Sequence, residues 1–267
     1  MKQKPKSKPS LRGLAKAIRP KRLLVDIETS PNVVYSWRVG YKISINYENI
    51  LQERAIICIG YKWQGEKETH CLTWNNGDDK AMLKAFIPIL ESADEVVAHF
   101  GDRFDIPWLR ARAAFHGITV SPHIKTIDTK AQSARLFYFN SNRLDYLGQF
   151  LGVGKKIETD FDLWKDVVAG DEVALAKMVR YCRQDVKLLE KVYLRLEGYN
   201  KPKTHQGVMR GQPCSTCPKC ASPNVIAIGK QVTGTGAVRP KMKCKTCSQV
   251  FLVTRAELSR HIKCKTP

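Results

Sequence analysis

The chain reads as an α/β protein, a mixed sheet with flanking helices followed by a small cysteine-anchored unit near its C-terminal end. Three observations predict this. Strand-like runs come early and are joined by hairpin signals, after which strands alternate with helical segments, an order that suits a mixed sheet covered by helices. A long helical period runs from about 171 to 197. Two C-x2-C pairs stand 23 residues apart beyond it.

The first strand is carried by Leu23-Leu24-Val25 and runs into Asp26-Ile27-Glu28-Thr29. Alternate side chains of a strand share a face, so Asp26 and Glu28 project together from a buried strand end. Two carboxylates crowded there raise each other's pKa unless a cation sits between them. The plain alternative is that both reach water at the strand terminus. An extended stretch, 31–51, is rich in aromatics (Tyr35, Trp37, Tyr41, Tyr47), and is either a loop that stacks bases or a loop packed over the core. Residues 55–63 and 68–74 read as consecutive strands around the turn Gln64-Gly65-Glu66. A helical pattern covers 78–90, a strand 95–99, a helix continues to about Phe115, and a short strand spans 124–127. Residues 142–151 read as a short capped helix ended by Gly152.

Two further motifs carry chemistry. His99-Phe100-Gly101-Asp102-Arg103-Phe104-Asp105 follows the 95–99 strand and enters a helix through Trp108 and Leu109. Taken alone, Asp105 reads as a helix cap, with Pro107 in the first turn. In the long helix, Leu175, Met178, Val179, Cys182, Val186, Leu189, Tyr193 and Leu196 form an apolar stripe. Tyr181 and Asp185 are four apart, one above the other along the border of that stripe. A carboxylate at a core edge is costly unless paired or metal-bound. The bland readings are a core-edge aromatic and a solvated helix charge.

The ordered set D-x-E, F-D and Y-x-x-x-D resembles the DEDD superfamily of 3′–5′ exonucleases in its tyrosine (DEDDy) branch, over roughly residues 22 to 198. The resemblance implies an RNase H-like fold, with Asp26, Glu28, Asp105 and Asp185 holding two Mg²⁺ or Mn²⁺ ions and Tyr181 positioning the attacking water. Phe100 departs from it, since many relatives carry a small polar residue there, often Asn. Phosphodiester hydrolysis needs an activated water and a stabilised leaving oxygen, and a pair of divalent ions about 3.5–4 Å apart supplies both. Hard Mg²⁺ takes oxygen ligands. A tyrosine of pKa about 10 is a poor base at neutral pH, so orienting a water is its expected role. Asp128, after the 124–127 strand, either approaches these metals or is a turn residue. Lys155 and Lys156 either touch the phosphate backbone or form a solvated surface.

Charge is unevenly spread. The net charge of +20 comes from the ends: residues 1–22 hold nine basic and no acidic residues, and 200–267 hold thirteen and one. The centre, 23–199, has 23 basic and 24 acidic residues. A near-neutral body with two basic arms is the footprint of a polyanion binder. Neither arm forms an amphipathic helix with a large apolar face, which disfavours a membrane partner. The N-terminal run has too few apolar residues to fold alone and lacks the apolar core of a signal peptide, and no stretch reaches transmembrane length.

Nine cysteines without a secretory signal point to a reducing, cytoplasmic compartment and to metal rather than disulfides. Cys217, Cys220, Cys244 and Cys247 have the spacing of a structural four-thiolate zinc site. With strands expected at 225–228 and 241–243, the segment resembles the small zinc ribbons of transposase-associated and other DNA-linked proteins. Cys214 forms a third C-x2-C with Cys217, so the first pair could shift by three, and His261 and Cys264 are alternative ligands.

The expected organisation is a basic disordered tail (1–21), an RNase H-like exonuclease domain (22–198), a linker (199–212), a zinc ribbon (213–252) and a basic tail (253–267). The expected activity is metal-dependent 3′–5′ hydrolysis of nucleic acid, DNA favoured over RNA, acting on single-stranded 3′ ends, with two Mg²⁺ or Mn²⁺ and one Zn²⁺. Any polymerase or replication partner would act in trans. The rival reading is a non-catalytic nucleic-acid-binding protein with the same scaffold.

Overall fold

The computed structural model describes residues 20–263, with side chains through 259. Most of the expected N-terminal tail, together with Cys264 and the side chain of His261, lies outside them. The chain divides into two compact units that part between Asn200 and Lys201.

The first unit is built on β1 (Arg22–Thr29), β4 (Ile56–Trp63), β5 (His70–Thr73), β6 (Glu95–Ala98) and β7 (Thr126–Asp128), in the order β5-β4-β1-β6-β7. β1 pairs antiparallel with β4, and β4 with β5; β1–β6 and β6–β7 are parallel. The β1–β6 pairing stops at Leu24, and the β4 register slips directly after Glu28. The last residues of β1 are therefore free on one side. The carboxyl ends of strands in such sheets are where ligand sites form.

Both faces of β1 are buried. Leu23, Val25 and Ile27 join Leu83, Phe86 and Leu109 of α1 (Lys80–Glu91) and α2 (Asp105–Phe115) in one apolar cluster. Leu24 joins Val97 with Val186 and Leu189 of the long helix α6 (Glu172–Leu196) in another. Each fully buried side chain of this size contributes about 1.5–3 kcal/mol. The acidic N-cap Asp171 starts α6, accepting from the Val173 and Ala174 N–H groups at 2.7 and 3.2 Å. Close packing of α6 on β4 requires Gly60, where a Cβ would meet Cys182 Sγ at 2.7 Å.

Two helices were not expected. α3 (Thr129–Leu136) is capped by Asp128 and α5 (Phe161–Val168) by Asp160. Neither is long enough for a helical period to stand out. α4 (Leu144–Phe150) starts at Arg143, without a side-chain cap, rather than at Asn142. β7 starts later than expected, at Thr126. The 31–51 segment is anchored by a two-stranded ribbon, β2 (Val33–Val34) with β3 (Ile50–Gln52), and its aromatics do not cover the core: Trp37 is fully exposed, and Tyr35, Tyr41 and Tyr47 are exposed.

A buried ionic knot pins α2 to the sheet. Asp79, wholly buried, accepts from Arg112 Nε and Nη2 at 2.8 and 2.9 Å, from the Ile56 N–H at 2.9 Å, and pairs with His116 Nε2 at 2.6 Å. Asp79→Ala leaves the Arg112 guanidinium buried without its partner and should cost about 3–5 kcal/mol, read as a lowered urea midpoint.

Candidate active site

All five residues singled out in the first three motifs come together at the free end of β1. Asp26 and Glu28 share the face turned to α6, and their carboxylate oxygens lie within 4.8 Å of each other and of Asp185. Asp105, first residue of α2, brings in a fourth carboxylate, its Oδ1 accepting from the Ile27 N–H at 3.1 Å. Tyr181 lies one turn before Asp185 and is buried with it.

The loop that aims Asp105 is tightly made. Phe100 has φ +73°, a left-handed conformation that favours Gly or Asn over a bulky residue. The ring of Phe100 is covered by Lys130 Nζ at 3.9 Å from its centroid. Gly101 has no alternative, because a Cβ there would stand 2.4 Å from that of Ala98. Asp128 accepts from the N–H groups of Phe100, Asp102 and Ala131 at 3.1, 3.3 and 2.9 Å. Its oxygens serve the loop and the α3 cap, and its charge bears on Asp105. Half-buried His99 bridges Thr129 Oγ1 and the Asn142 carbonyl, both at 2.9 Å, and desolvation holds it uncharged with a pKa of about 4.

The electrostatics of the cluster call for a cation. Burial raises all four carboxyls, and neighbouring negative charges add to it, from within the cluster at Asp26 and Glu28, from Asp128 at Asp105 and from Asp145 at Asp185. Asp26 stands well above the carboxylate range beside Glu28, Asp185 and Asp105. Glu28 is pushed up to about 8 and Asp105 to about 7. Asp185 is raised too, by burial, against the pull of Lys156. Both Asp185 oxygens are buried, and Oδ2 is paired with the Lys156 ammonium. Four oxygen-donor side chains fit hard divalent ions.

For Lys156 the sequence offers a phosphate contact or a solvated surface, and the structure turns it onto the acidic cluster. Its Nζ is 2.6 Å from Asp185 Oδ2 and 4.9 Å from the Tyr181 ring centroid. Burial alone would lower its pKa, but Asp185 more than offsets this and the ammonium is held charged. The loop is fixed by the Lys156 N–H donating to Asp145 Oδ1 at 2.8 Å, just past Gly154 at φ +143°. No periodicity in a G-x-G-K-K loop marks which lysine turns inward; Lys155 points out.

The second unit carries the cysteine cluster. Cys217, Cys220, Cys244 and Cys247 place their sulfurs within 4.8 Å of one another. They flank a three-stranded sheet of β8 (Val225–Val232), β9 (Val238–Cys244) and β10 (Val250–Leu252), in the order β10-β9-β8. The two knuckles repeat one geometry. Ala221 N–H donates to Cys217 O and Ser248 N–H to Cys244 O, at 2.9 and 3.0 Å, with φ of +60° and +59°. Backbone N–H groups of Lys219 and Cys220 face the Cys217 sulfur, and those of Thr246 and Cys247 face that of Cys244. Donors aimed at sulfur suit thiolates, so the residues fit a four-coordinate zinc ion. Cys214 lies outside the cluster, its carbonyl accepting from His205 Nε2 at 3.1 Å. The stretch expected as a linker carries a short helix, α7 (Gln206–Met209), tied to Pro218 by the Gln206 N–H. The stretch expected as a tail carries α8 (Arg255–Lys263), whose Leu258 packs on the cysteine cluster.

A family model described as RNase_H superfamily matches residues 48–197, more than half of the chain. The match includes Asp105, Tyr181 and Asp185 and begins after Asp26 and Glu28. Among solved structures, the chain is similar to the family B DNA polymerase from the hyperthermophilic archaeon Pyrobaculum calidifontis, with a TM-score of 0.52 and 16% identity. The likeness covers 68% of this chain and 25% of the polymerase, so the chain spans about a quarter of it. No curated protein matches the sequence.

Proposed function

The chain belongs to the RNase H superfamily, and from that premise we propose that it is a metal-dependent nuclease, specifically a tyrosine-branch 3′–5′ exonuclease acting on single-stranded 3′ ends, DNA in preference to RNA. The observation that carries this reading is the convergence of Asp26, Glu28 and Asp185, with Asp105 held beside them on the Ile27 N–H, each raised in pKa by burial, and with the Tyr181 hydroxyl beside Asp185. Mg²⁺ or Mn²⁺ held by these four would acidify a water and stabilise charge on the leaving oxygen.

The remaining work falls to the chain. Tyr181 keeps its proton, since burial and the Asp185 charge push its pKa further above its ordinary value. Its role is to orient a water rather than to deprotonate it. Lys156 balances part of the charge at Asp185 and is placed to meet a substrate phosphate oxygen. The Ile27 N–H fixes the Asp105 rotamer. The 201–263 unit is proposed as a zinc ribbon that helps hold nucleic acid.

The Lys156–Asp185 pair favours one other reading, a scaffold whose acidic cluster is neutralised by lysine and never loads metal. A single ammonium against four carboxylates leaves most of the repulsion in place, so the nuclease reading is the stronger. Incubating the protein with 5′-labelled single-stranded DNA and RNA, with Mg²⁺, Mn²⁺ or EDTA, decides between them. A 3′-shortening ladder dependent on metal is expected. Intact substrate under every condition leaves the scaffold.

Zinc should copurify at about one ion per chain. Cys244→Ser should release it and increase hydrogen exchange across β8 to β10, with 21–200 protected as before; metal analysis finding no zinc in chelator-free protein would refute the ribbon.

A further inference from the structure

Beneath the acidic cluster lies a second convergence of cysteines, on the first unit and separate from the ribbon. Cys58 of β4, Cys71 of β5 and Cys182 of α6 bring their sulfurs within 4.8 Å of one another. Cys58 is the cross-strand partner of Glu28, and Cys71 that of Gly60. The Cys182 sulfur rests on Gly60, where a Cβ would stand 2.7 Å away, and lies 3.5 Å from the Asp26 carbonyl and 3.9 Å from Asp26 Oδ2. Cys182 thus sits between Cys71 and the strand that carries Asp26.

Three thiolates around a soft cation would leave net negative charge buried against Asp26 and Glu28, which is costly. A disulfide carries no charge. Access is also unequal: Cys58 and Cys182 are fully buried, whereas Cys71 is partly exposed on the edge strand β5, near Arg183. An edge strand of four residues is the element freest to shift while two sulfurs close to the bonding distance of about 2.05 Å.

We propose that Cys71 and Cys182 form a peroxide-oxidisable pair, with Cys71 as the entry point and a Cys71–Cys182 disulfide as the product. Hydrogen peroxide is the oxidant. The Cys71 sulfur attacks one peroxide oxygen, the O–O bond breaks, and Cys71 sulfenic acid and water result. The Cys182 sulfur then attacks the Cys71 sulfur, the S–O bond breaks, and the hydroxyl leaves as a second water with the Cys182 proton. The pair loses two electrons and the peroxide gains them. The bond ties α6, next to Tyr181, to the sheet edge and draws the Cys182 sulfur off Asp26.

The test uses the full-length zinc-loaded protein, treated with graded hydrogen peroxide, alkylated, digested without reductant and read by mass spectrometry. The expected result is a joined Cys71–Cys182 peptide pair, two hydrogens lighter than its parts, removed by dithiothreitol. It should form at peroxide levels that leave the zinc bound, and be missing in Cys182→Ala. Cys71→Ser, a near-isosteric change at a partly exposed edge position, provides a second control. The proposal is overturned if both thiols alkylate fully while ribbon zinc is already being lost, or if Cys71 links to another cysteine instead. It is equally overturned if the protein holds a second equivalent of zinc that Cys71→Ser releases, which would make the three thiols a metal site. None of these readouts depends on nuclease activity.

Discussion

Asp26→Asn is expected to lower metal-dependent cleavage by at least about three orders of magnitude, a rise of about 4 kcal/mol in the barrier, while the protein stays folded. Asparagine keeps the shape at the end of β1 and the close approach of Cys182 but removes one charge from the centre of the acidic cluster. The metal-free fold should gain stability from the same change. In the folded protein Glu28 titrates at about 8 instead of 4.5, and Asp105 at about 7 instead of 3.8. The folded state therefore holds protons that the unfolded chain has released, between about pH 4 and pH 8, and stability falls as pH rises through that window. Divalent ions bound by these carboxylates reverse the loss, so Mn²⁺ should raise the melting temperature more at pH 8 than at pH 5.5. That pH-dependent rise should shrink in Asp26→Asn. Wild-type cleavage by Asp26→Asn, or a metal-induced shift equal at the two pH values, would remove the acidic cluster as a metal site.

What was legible in the sequence followed from period and spacing. The D-x-E alternation placed two carboxylates on one face, and the i, i+4 spacing placed Tyr181 over Asp185, because strand and helix periods are local geometry. The length of α6 was legible for the same reason, with about six turns of apolar stripe from Leu175 to Leu196. Asp105 was readable only as one of two things, cap or ligand, and its bond to the Ile27 N–H comes from residues 78 positions apart in sequence. Lys156 was legible only as a phosphate contact or a solvated lysine, and its pairing with Asp185 was not. Its direction is set by a glycine-bearing loop and by Asp145, and nothing local distinguishes it from Lys155. The three-cysteine group was hidden similarly, since Cys58, Cys71 and Cys182 belong to three elements that meet only in the folded sheet. The ribbon cysteines were visible because each knuckle supplies its pair within four residues.

Tyr181→Phe is the second change with a large expected effect, and it separates catalysis from packing. The ring is buried against Trp164, with centroids 6.1 Å apart, and phenylalanine preserves that contact. The deleted hydroxyl hydrogen-bonds to both Lys156 and Asp185. If Tyr181 were only a core-edge aromatic, turnover and stability would hardly change, and loss of a buried hydroxyl could even be neutral. If it orients the attacking water, single-turnover rate should fall by roughly one to three orders of magnitude, about 1.4–4 kcal/mol in the barrier. Mn²⁺ affinity should stay near wild type, because all four carboxylates remain. Lys156→Met offers the contrasting signature: it removes the charge that offsets Asp185 and the proposed phosphate contact, so substrate binding should weaken along with rate. A Tyr181→Phe single-turnover rate within a factor of about two of wild type would return this tyrosine to the core.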